Sequence, residues 1–453
     1  RGGYIWHTTG SGKTMSSFKA AQLISRRKDA DKVIFLLDRI ELGKQSLEEY
    51  QNFADSKDDV QATENTAILL AKLKSKQDRD HLIVTSIQKM SNIKAEEGVN
   101  EADIEQISGK RLVFIIDEAH RTTFGDMLLT IKHTFPNALF FGFTGTPIEE
   151  ENARKNSTTA TIFGNELHRY SIADGIRDEN VLSFHPFHIR TFKDSDLRRA
   201  VALHKAKAAD ESEVFASEAK KKIYNRFMNE VPMAGVYAED GTYQKGIEDY
   251  VPNAQYETAE HVGTVIDDML ENWQRLSQGN KYHAIFATSS IPEAVDYYRL
   301  IKAKNSGLKL TALFNPNILN DSQGNDKEEW IAEILNDYNA QFGTSFGYAT
   351  YSRFKTDLSD RLSHINTYKR IKSDEQLDLL IVVDQMLTGF DSKWLNTLYL
   401  DKILDYANLI QAFSRTNRLC DKTDKPFGLI RYYRKPHTMQ RNIERAVKLY
   451  SGD

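Results

Sequence analysis

The sequence has almost no cysteine, no long apolar run and almost no net charge. A single cysteine among 453 residues, Cys420, excludes an internal disulfide framework and fits a reducing, cytoplasmic compartment. No uninterrupted apolar run approaches the roughly 20 residues that cross a bilayer, so we expect no membrane partner. Sixty basic and 64 acidic residues give a net charge of -4. A polyanion would therefore have to bind at a local basic groove, because the molecule as a whole does not attract it.

The length and the first residues indicate a multidomain piece of a longer protein. A chain of 453 residues is long enough for two or three packed domains. It opens with Arg1-Gly2-Gly3-Tyr4 and enters a predicted strand at once, without a charged and apolar signal segment. We therefore expect the chain to be a piece cut from a longer protein.

Short apolar runs alternate with polar turns and helical stretches, which is typical of βαβ units. Continuous apolar runs of this length favour parallel strands that helices cover on both faces. The runs are Tyr4–Trp6, Val33–Leu37, Leu82–Val84, Leu112–Ile116 and Leu139–Phe143, and then 283–290, 308–314, 377–384, 397–402 and 428–433. We expect an α/β fold with a first lobe at 1–185, a helical insertion or linker at 186–260 and a second lobe at 261–453.

The string HTTGSGKT, His7 to Thr14, lies between a predicted strand and a helix-compatible run. Glycines permit the unusual dihedrals of a loop whose backbone N–H groups converge on phosphates. Lys13 would reach the β- and γ-phosphates, and Thr14 would ligate magnesium. His7 stands where the common G-x-x-x-x-G-K-[ST] pattern begins with glycine; an ordinary turn that caps a helix is the alternative. The predicted ATP-binding residues here are Thr9, Gly10, Ser11, Gly12, Lys13 and Thr14.

Two adjacent carboxylates follow the apolar run in IIDEAHR, and Asp117 comes 104 positions after Lys13. Asp117 at a strand end can hold the magnesium shell, while Glu118 can polarise the water that attacks the γ-phosphate. A solvated acidic strand end is the alternative. We favour the catalytic interpretation because a phosphate loop precedes the pair.

With these motifs the chain resembles the superfamily 2 helicases and translocases over nearly its whole length. DEAH is their second motif, and TGTP, Thr144 to Pro147, is similar to the third, which relays the nucleotide state to the nucleic-acid track. The resemblance implies two RecA-like lobes with a nucleotide cleft between them. It also implies coupling roles for His120, Thr144 and Thr146. A plain turn is the alternative for TGTP.

QMLTGFD (385–391) is similar to the fifth helicase motif, although Thr388 replaces a common arginine. LIQAFSRTNR (409–418) is similar to the sixth, although Ser414 replaces the usual glycine. The resemblance implies that the nucleotide contacts of this lobe are Gly389, Asp391 and Gln411.

Arg415 and Arg418 match the arginines of the sixth motif, and the resemblance gives them catalytic roles. A guanidinium that neutralises charge on the transferred phosphoryl group raises the rate by about 10³–10⁵. Three positions apart, the two side chains would project to one side of a helix. A basic helix face in water is the alternative interpretation.

Arg39 after the second predicted strand, and Thr85, Gln88 and Lys89 after the third, resemble the first-lobe motifs that grip a nucleic-acid backbone. Phosphate contacts of this kind carry no sequence information. Polar loop residues that bond to their own backbone are the alternative. Lys220–Lys222 lie among glutamates and are interpreted as a solvated helix face.

Seven strings together are similar to the restriction, or R, subunit of type I restriction-modification enzymes. They are GGYIWHTTGSGKT, LLDRIELGKQ, IIDEAHR, FGFTGTPI, SIADGIRDENVL, DQMLTGFDSKWLNTLYLDK and LIQAFSRTNR. The resemblance implies a motor that uses ATP and Mg²⁺ to pump double-stranded DNA, beside modification (methyltransferase) and specificity subunits, in a bacterial or archaeal cytoplasm. It also implies a separate nuclease domain upstream, and we interpret Glu218-Ala219-Lys220 as a coincidental match to the Glu-x-Lys of such a site.

Two other functions remain open. One is a strand-separating superfamily 2 DNA or RNA helicase, which an unwinding assay would distinguish from a pump. The other is an ATP-gated nucleic-acid binding module, in which nucleotide changes only the affinity for a partner. The presence of Glu118 and both arginines favours hydrolysis over simple gating.

Overall fold

The computed structural model describes residues 2–37, 61–63, 65–95, 100–119, 124–149, 151, 158–304, 307–315, 324–421 and 423–452. The chain divides into two compact units, Arg1–Val181 with Leu449–Asp453, and Leu182–Lys448. Each unit is built on a parallel sheet with flanking helices. The predicted α/β class with two lobes is confirmed.

The first unit contains a sheet of seven described strands. They are β1 (Gly3–His7), β2 (Lys32–Leu37), β3 (Gln61–Ala62), β4 (Leu82–Ser86), β5 (Leu112–Ile116), β6 (Leu139–Thr144) and β7 (Glu166–Tyr170). Their order is β3-β4-β2-β5-β6-β1-β7, and every pairing is parallel. The five predicted runs of this lobe each fall inside a strand. Strands β2 and β5 are buried at every residue because helices cover both faces of a parallel sheet.

The described helices of the first unit are α1 (Lys13–Arg26), α2 (Thr66–Lys74), α3 (Ile87–Ser91), α4 (Glu101–Ser108), α5 (Phe124–Thr134), α6 (Thr159–Phe163) and α7 (Ile172–Arg177), with 3₁₀ turns at Asp78–Asp80 and Ile93–Ala95. Helix α1 packs on the sheet through Phe18 and Ala21, which share a buried apolar cluster with Val33, Phe35 and Ile115. This packing fixes the first turn of α1 just beyond the carboxyl end of β1.

The second unit contains a second parallel sheet and a small hairpin. The sheet strands are β8 (Phe184–His188), β11 (His283–Thr288), β12 (Leu310–Leu313), β13 (Leu379–Val382), β14 (Leu395–Asp401) and β15 (Gly428–Tyr432), and the hairpin strands are β9 (Val236–Tyr237) and β10 (Tyr243–Gln244). The sheet order is β12-β13-β11-β14-β15-β8, with parallel pairing throughout. Four of these six strands lie within the runs predicted for this lobe, and β14 overlaps the predicted run 397–402.

The described helices that begin in the second unit are α8 (Asp194–Ala206), α9 (Glu211–Phe215), α10 (Glu218–Asn229), α11 (Ala259–Leu276), α12 (Ile291–Ala303), α13 (Gly324–Phe342), α14 (Tyr351–Ser363), α15 (Tyr406–Phe413) and α16 (Pro436–Tyr450), with 3₁₀ turns at Ile247–Tyr250, Asn253–Glu257, Tyr348–Thr350 and Asn366–Tyr368. Helix α12 starts after Ser290, whose side chain accepts a hydrogen bond from the backbone N–H of Glu293 and so caps the helix.

The compact units divide between 181 and 182 rather than at the expected 185/186 boundary. Strand β8 crosses the expected boundary at 185/186 and pairs with β15 in the register Gly428↔Phe184 to Tyr432↔His188. The segment 186–260 is helical in large part, as its composition predicts, but it belongs to the second unit. Part of this segment is buried in a separate apolar cluster, which includes Leu197, Val201 and Ile247. The amino-terminal part of the expected linker is therefore an edge strand.

We searched the described helices for a membrane-spanning candidate, and none combines the necessary length with sufficient apolar character.

Candidate functional site

The predicted phosphate loop lies between β1, which ends at His7, and α1, which begins at Lys13. Gly10 and Gly12 have φ angles of 93° and 96°, in the left-handed region that glycine adopts without a steric cost. The Ser11 hydroxyl donates to the Thr8 carbonyl at 2.7 Å and closes the turn. The first backbone N–H groups of α1 have no partners within the helix, and such groups bind anions. The glycines thus permit the tight turn between β1 and α1 that the sequence predicts.

Lys13 is buried and lies between two carboxylates. Its Nζ is 2.9 Å from Oδ1 of Asp117 and 2.5 Å from Oε1 of Glu118. Burial alone would lower the pKa of Lys13, but the two carboxylates outweigh burial and raise the pKa above its ordinary value. Lys13 is therefore a cation at physiological pH. Lys13 lies close to the two carboxylates because the parallel strands β1 and β5 end at the same edge of the sheet.

Asp117 and Glu118 come directly after β5 and adopt different conformations. Glu118 has a φ angle of 53°, which is uncommon for a residue with a side chain and costs on the order of 1 kcal/mol or more. Its backbone N–H donates to Oδ1 of Asp117 at 2.9 Å, and the next N–H, of Ala119, donates to the Phe143 carbonyl. This turn brings both carboxylates to Lys13. Strained backbone of this kind is frequent at active sites.

The TGTP segment packs directly on the phosphate loop. Thr144 and Thr146 are fully buried, and the Thr144 hydroxyl accepts from the backbone N–H of Thr146 at 3.1 Å. A methyl group added to Gly145 would lie only 2.5 Å from Oγ1 of Thr9, so this close approach requires glycine. A displacement of the phosphate loop would therefore act on this segment by direct contact. The third residue with an expected coupling role, His120, lies outside the described residues.

Two of the residues expected to contact DNA in the first unit, Thr85 and Lys89, form hydrogen bonds within the chain. The Thr85 hydroxyl is buried and accepts from the hydroxyl of Thr63 at 2.8 Å. The Lys89 amine donates to the Thr63 carbonyl at 2.5 Å. Both contacts match the alternative of polar groups that bond inside the chain. Gln88 lies beside them in α3, whereas Arg39 lies outside the described residues.

In the second unit, the segments similar to the fifth and sixth motifs bond to each other. Gly389 has a φ angle of 75°, which explains a glycine at this position. Nε of Arg418 lies 2.5 Å from Oδ1 of Asp391. Arg415 is buried, and its guanidinium donates to the carbonyls of Phe390 and, at 3.0 Å, Gln411. The two arginines thus hold the TGFD segment in place.

The expectation that one helix carries both arginines is wrong. Helix α15 ends at Phe413, and Ser414 is its C-cap. Arg415 and Arg418 follow in a turn, where Arg415 is buried and Arg418 reaches Asp391. In this turn both guanidinium groups bond to oxygens of their own unit, Arg415 to the carbonyls of Phe390 and Gln411 and Arg418 to the carboxylate of Asp391.

Lys425 is a buried residue to which no motif drew attention. Its Nζ donates to the carbonyls of Leu395 at 2.7 Å, and of Lys393 and Arg418 at 3.0 Å. Burial lowers the pKa of Lys425 to about 7. The residue links the start of β14 to the arginine segment. In the sequence it is one lysine in a run of lysines and aspartates, so no local signal distinguishes it.

A buried network at the end of β14 was also absent from the predictions. Asp401 accepts from Nε2 of His261 at 2.9 Å, from the Tyr297 hydroxyl at 2.9 Å and from Arg434 at 3.2 Å. The other His261 nitrogen lies 2.7 Å from the hydroxyl of Thr191. Burial alone would raise the pKa of Asp401, but His261 and Arg434 outweigh it and lower the pKa. The network joins β14 to α11, α12 and the residues after β8 and β15.

The donors predicted for magnesium suit that ion. Mg²⁺ beside a nucleotide takes one or two protein oxygen ligands and completes its shell with phosphates and water. Asp117 at the end of β5 and the hydroxyl of Thr14 in the first turn of α1 supply that number. Within the described ranges, no group of three or more His, Cys, Asp or Glu residues could hold a metal by itself. This donor set therefore fits an ion that arrives with phosphates.

Two protein families match different parts of the chain. Residues 1–221 match the SWI2/SNF2 ATPase family, and residues 280–435 match type I restriction enzyme subunit R domain 3. The chain is 39% identical over 459 residues to the type I restriction enzyme SauCOLORF180P endonuclease subunit of Staphylococcus aureus (strain COL), with 99% of this chain and 43% of that protein covered. It is 26% identical to the putative type I restriction enzyme MjaIXP endonuclease subunit of Methanocaldococcus jannaschii, with 94% and 35% covered.

Solved structures give the same fold. A fragment of a putative HsdR subunit of a type I restriction enzyme from Vibrio vulnificus YJ016 matches with a TM-score of 0.53 and 15% identity, over 100% of this chain and 62% of that one. The fold is that of this HsdR fragment, and the first 221 residues have the sequence pattern of SWI2/SNF2 ATPases. The chain belongs to the family of type I restriction enzyme endonuclease, or R, subunits. It spans less than half of the length of the two relatives from Staphylococcus aureus and Methanocaldococcus jannaschii.

Proposed function

We propose that this chain is the ATP-dependent motor of a type I restriction endonuclease, which translocates double-stranded DNA before a separate nuclease domain cleaves it. The observation that carries the proposal is the contact of Lys13 with Asp117 at 2.9 Å and with Glu118 at 2.5 Å. It joins a phosphate-loop lysine to two candidate hydrolytic carboxylates, although 104 positions separate Lys13 from Asp117. These are the parts that nucleoside triphosphate hydrolysis needs on one side of the phosphates.

In this proposal each residue of the first unit has one task. The free N–H groups of the first turn of α1, with the loop residues Thr9–Gly12, hold the triphosphate, and Lys13 neutralises its charge. Glu118 takes the role of the base that orients and polarises the attacking water. Thr14 and Asp117 would hold Mg²⁺, which supplies further charge neutralisation on the phosphate oxygens.

The proposed roles of the second unit depend on motif similarity. Arg415 and Arg418 would stabilise the charge that builds on the transferred phosphoryl group. Gly389, Asp391 and Gln411 would contribute to nucleotide binding. The contacts of Arg415 with Phe390 and of Arg418 with Asp391 support one shared site for these residues, since they bind the two motif segments to each other.

The proposed coupling path and the proposed partners extend beyond the nucleotide. Thr144 and Thr146 would relay the nucleotide state, because the glycine between them touches Thr9. Double-stranded DNA is the proposed track, with Arg39, Thr85, Gln88 and Lys89 as candidate backbone contacts. We also propose modification and specificity subunits as partners and the cytoplasm as the location. The support is the family, whose members carry the description endonuclease subunit.

The experiment that tests the motor uses the intact R subunit assembled with its modification and specificity subunits. ATP turnover is measured with and without duplex DNA that carries a cognate site, and translocation is measured by displacement of a triplex-forming strand. We expect duplex DNA to stimulate turnover and the triplex strand to be displaced without net unwinding. Lys13→Ala should abolish both signals. Lys19→Ala, at an exposed lysine of the same helix, is the matched control and should retain them.

Each contrary result either excludes a part of the proposal or identifies another function. Turnover that ignores DNA would exclude a DNA motor. Strand separation that accompanies turnover would identify a helicase. Nucleotide-dependent DNA affinity without multiple turnover would identify an ATP-gated binding module. Retention of activity in Lys13→Ala would show that this loop is not the hydrolytic site.

A further inference from the structure

His7 occupies the position at which the common phosphate-loop pattern begins with glycine, and it contacts the loop directly. Nδ1 of the imidazole lies 2.8 Å from the hydroxyl oxygen of Ser11. The same hydroxyl lies 2.7 Å from the carbonyl oxygen of Thr8. The histidine, the carbonyl and the serine thus form one closed hydrogen-bonded group across the turn. A glycine at position 7 would have no side chain to complete it.

The chemistry of the three groups decides which one donates. A carbonyl oxygen only accepts, so the single hydrogen of the Ser11 hydroxyl belongs to the Thr8 carbonyl. The contact between Ser11 and His7 then requires an N–H on Nδ1 of the ring. Burial lowers the pKa of His7, and His168 and Lys13 lower it further, while a hydrogen bond to the backbone of Thr8 opposes them. In this arrangement a hydrogen on Nδ1 points to the hydroxyl oxygen of Ser11.

The remaining neighbours hold His7 and Thr8 from the other side. The ring packs against the ring of Tyr170, with centroids 5.2 Å apart, at the end of β7. The backbone N–H of Thr8 donates to the carbonyl of Tyr170 at 2.9 Å. The Thr8 side chain is buried, so the residue whose carbonyl accepts the hydrogen bond from Ser11 cannot move freely. An edge strand, the histidine and the serine therefore fix the first half of the loop.

We propose that His7 is a positioning residue for nucleotide binding: its Nδ1–H orients the Ser11 hydroxyl and preorganises the turn from Thr8 to Ser11 for phosphates. The inference rests on the proposed function of the loop as a triphosphate site. We call the hydrogen bonds that join His7, Ser11 and the Thr8 carbonyl the clamp. A preorganised site loses less conformational entropy when the ligand binds, so the clamp increases affinity and does not enter the chemical step. Its removal should act on the dissociation constant and on KM for ATP more than on kcat.

A set of substitutions separates a clamp from a merely structural histidine. The amide nitrogen of asparagine is as many bonds from Cα as Nδ1 of histidine, whereas that of glutamine is one bond further away. His7→Asn should keep the clamp, and His7→Gln should lose it although its chemistry is the same. His7→Gly recreates the common phosphate-loop pattern and should also lose the clamp. Ser11→Ala removes the group on which His7 acts.

The measurement is the affinity of the intact R subunit for a fluorescent ATP analogue, with KM and kcat in the presence of duplex DNA. One lost hydrogen bond predicts binding about 3–10-fold weaker in His7→Gln, His7→Gly and Ser11→Ala, with kcat changed by less than about twofold. His7→Asn should stay within about twofold of the parent. The double variant His7→Gln/Ser11→Ala should be no weaker than either single variant. Melting temperatures, measured without nucleotide, check that every variant is folded.

Equal affinity of the parent, His7→Gln and His7→Gly would overturn the inference, as would additive losses in the double variant or a failure of His7→Asn to retain binding. Nucleotide binding without DNA-stimulated turnover would overturn the motor proposal but leave this comparison decisive, because affinity is its primary measurement. A parent subunit that binds no nucleotide would overturn both.

Discussion

Nε of Arg418 lies 2.5 Å from Oδ1 of Asp391, and this ion pair joins two segments that are 27 positions apart. The side chain of Asp391 is 60% exposed, so the pair contributes at most about 1 kcal/mol to folding. Its main effect is on orientation. The arginine that matches the last residue of the sixth motif is held by the aspartate that ends the fifth.

We expect Asp391→Asn to lower DNA-stimulated kcat by about tenfold and to leave the melting temperature within about 2 °C. The reason is that the amide keeps the shape but not the charge that orients Arg418. Arg418→Ala should lower kcat at least as much, and the double variant should be no slower than Arg418→Ala. Asp384→Asn, at another exposed aspartate of the same unit that pairs with Lys402, is the control. Multiplicative losses in the double variant would show that Asp391 acts independently of Arg418.

A second prediction concerns Glu118, the proposed base. Glu118→Gln should lower kcat by about 10²–10⁴ while the affinity for nucleotide stays within a few-fold, because only proton transfer and water orientation are lost. Single-turnover hydrolysis and equilibrium binding measure the two quantities. Glu105→Gln, at an exposed position of α4, is the control. Normal turnover in Glu118→Gln would assign the base to another residue.

A third prediction concerns Lys425, which satisfies three backbone carbonyls from a buried position. Lys425→Met should destabilise the second unit by about 3 kcal/mol or more, since each buried carbonyl left without a partner costs about 1–3 kcal/mol. Lys281→Met is the control, because Lys281 forms a partly exposed pair with Asp424 and should contribute less than about 1 kcal/mol. Denaturant unfolding compares the two variants. Equal midpoints would contradict the role assigned to the three carbonyl contacts.

A fourth prediction concerns pH and the pair His283 and His364, whose Nε2 atoms lie 2.7 Å apart. Burial lowers the pKa of His283 to about 3, with a smaller effect of His364, and burial with Lys393 lowers the pKa of His364 to about 4. Between roughly pH 4 and the unfolded value near 6.5, the unfolded chain binds more protons than the folded chain. Acidification through this window should therefore lower the free energy of unfolding, and above it these residues should have no effect.

Denaturant unfolding at pH 7.5, 6.5, 5.5 and 4.5 tests this expectation. His364→Asn removes one imidazole at a left-handed position that asparagine tolerates, and it should make the acid dependence less steep. His133→Asn, at an exposed histidine of α5, is the control and should leave the slope unchanged. Parallel pH profiles for the parent and His364→Asn would show that the pair does not govern acid stability.

Much of the fold could be predicted because its signals are local. Runs such as Val33–Leu37 and Leu112–Ile116 are apolar at every residue, and this pattern in so short a segment is typical of a strand covered on both faces. The phosphate loop and the Asp117–Glu118 pair were visible for a similar reason, since each depends on neighbouring residues. The predicted catalytic and binding roles of these residues await the measurements above.

The errors concern residues whose surroundings come from distant segments. Spacing alone suggested that Arg415 and Arg418 share a helix face, but the helix ends at Phe413, and the two arginines bond to Phe390 and Asp391, which are more than 20 positions earlier in the chain. Strand β8 has exposed residues and a proline, so its sequence does not resemble a core strand, and only its pairing with β15 makes it part of the sheet.

The sequence by itself determined the α/β class, the order of the motif segments and the glycine-containing loop, because hydrophobic periodicity and the backbone freedom of glycine act over a few residues. The tertiary structure alone decided that Lys13 meets two carboxylates, that Glu118 adopts a left-handed backbone and that Lys425 bonds to three carbonyls. These contacts depend on which strand ends are neighbours in the sheets, and no local pattern records that order.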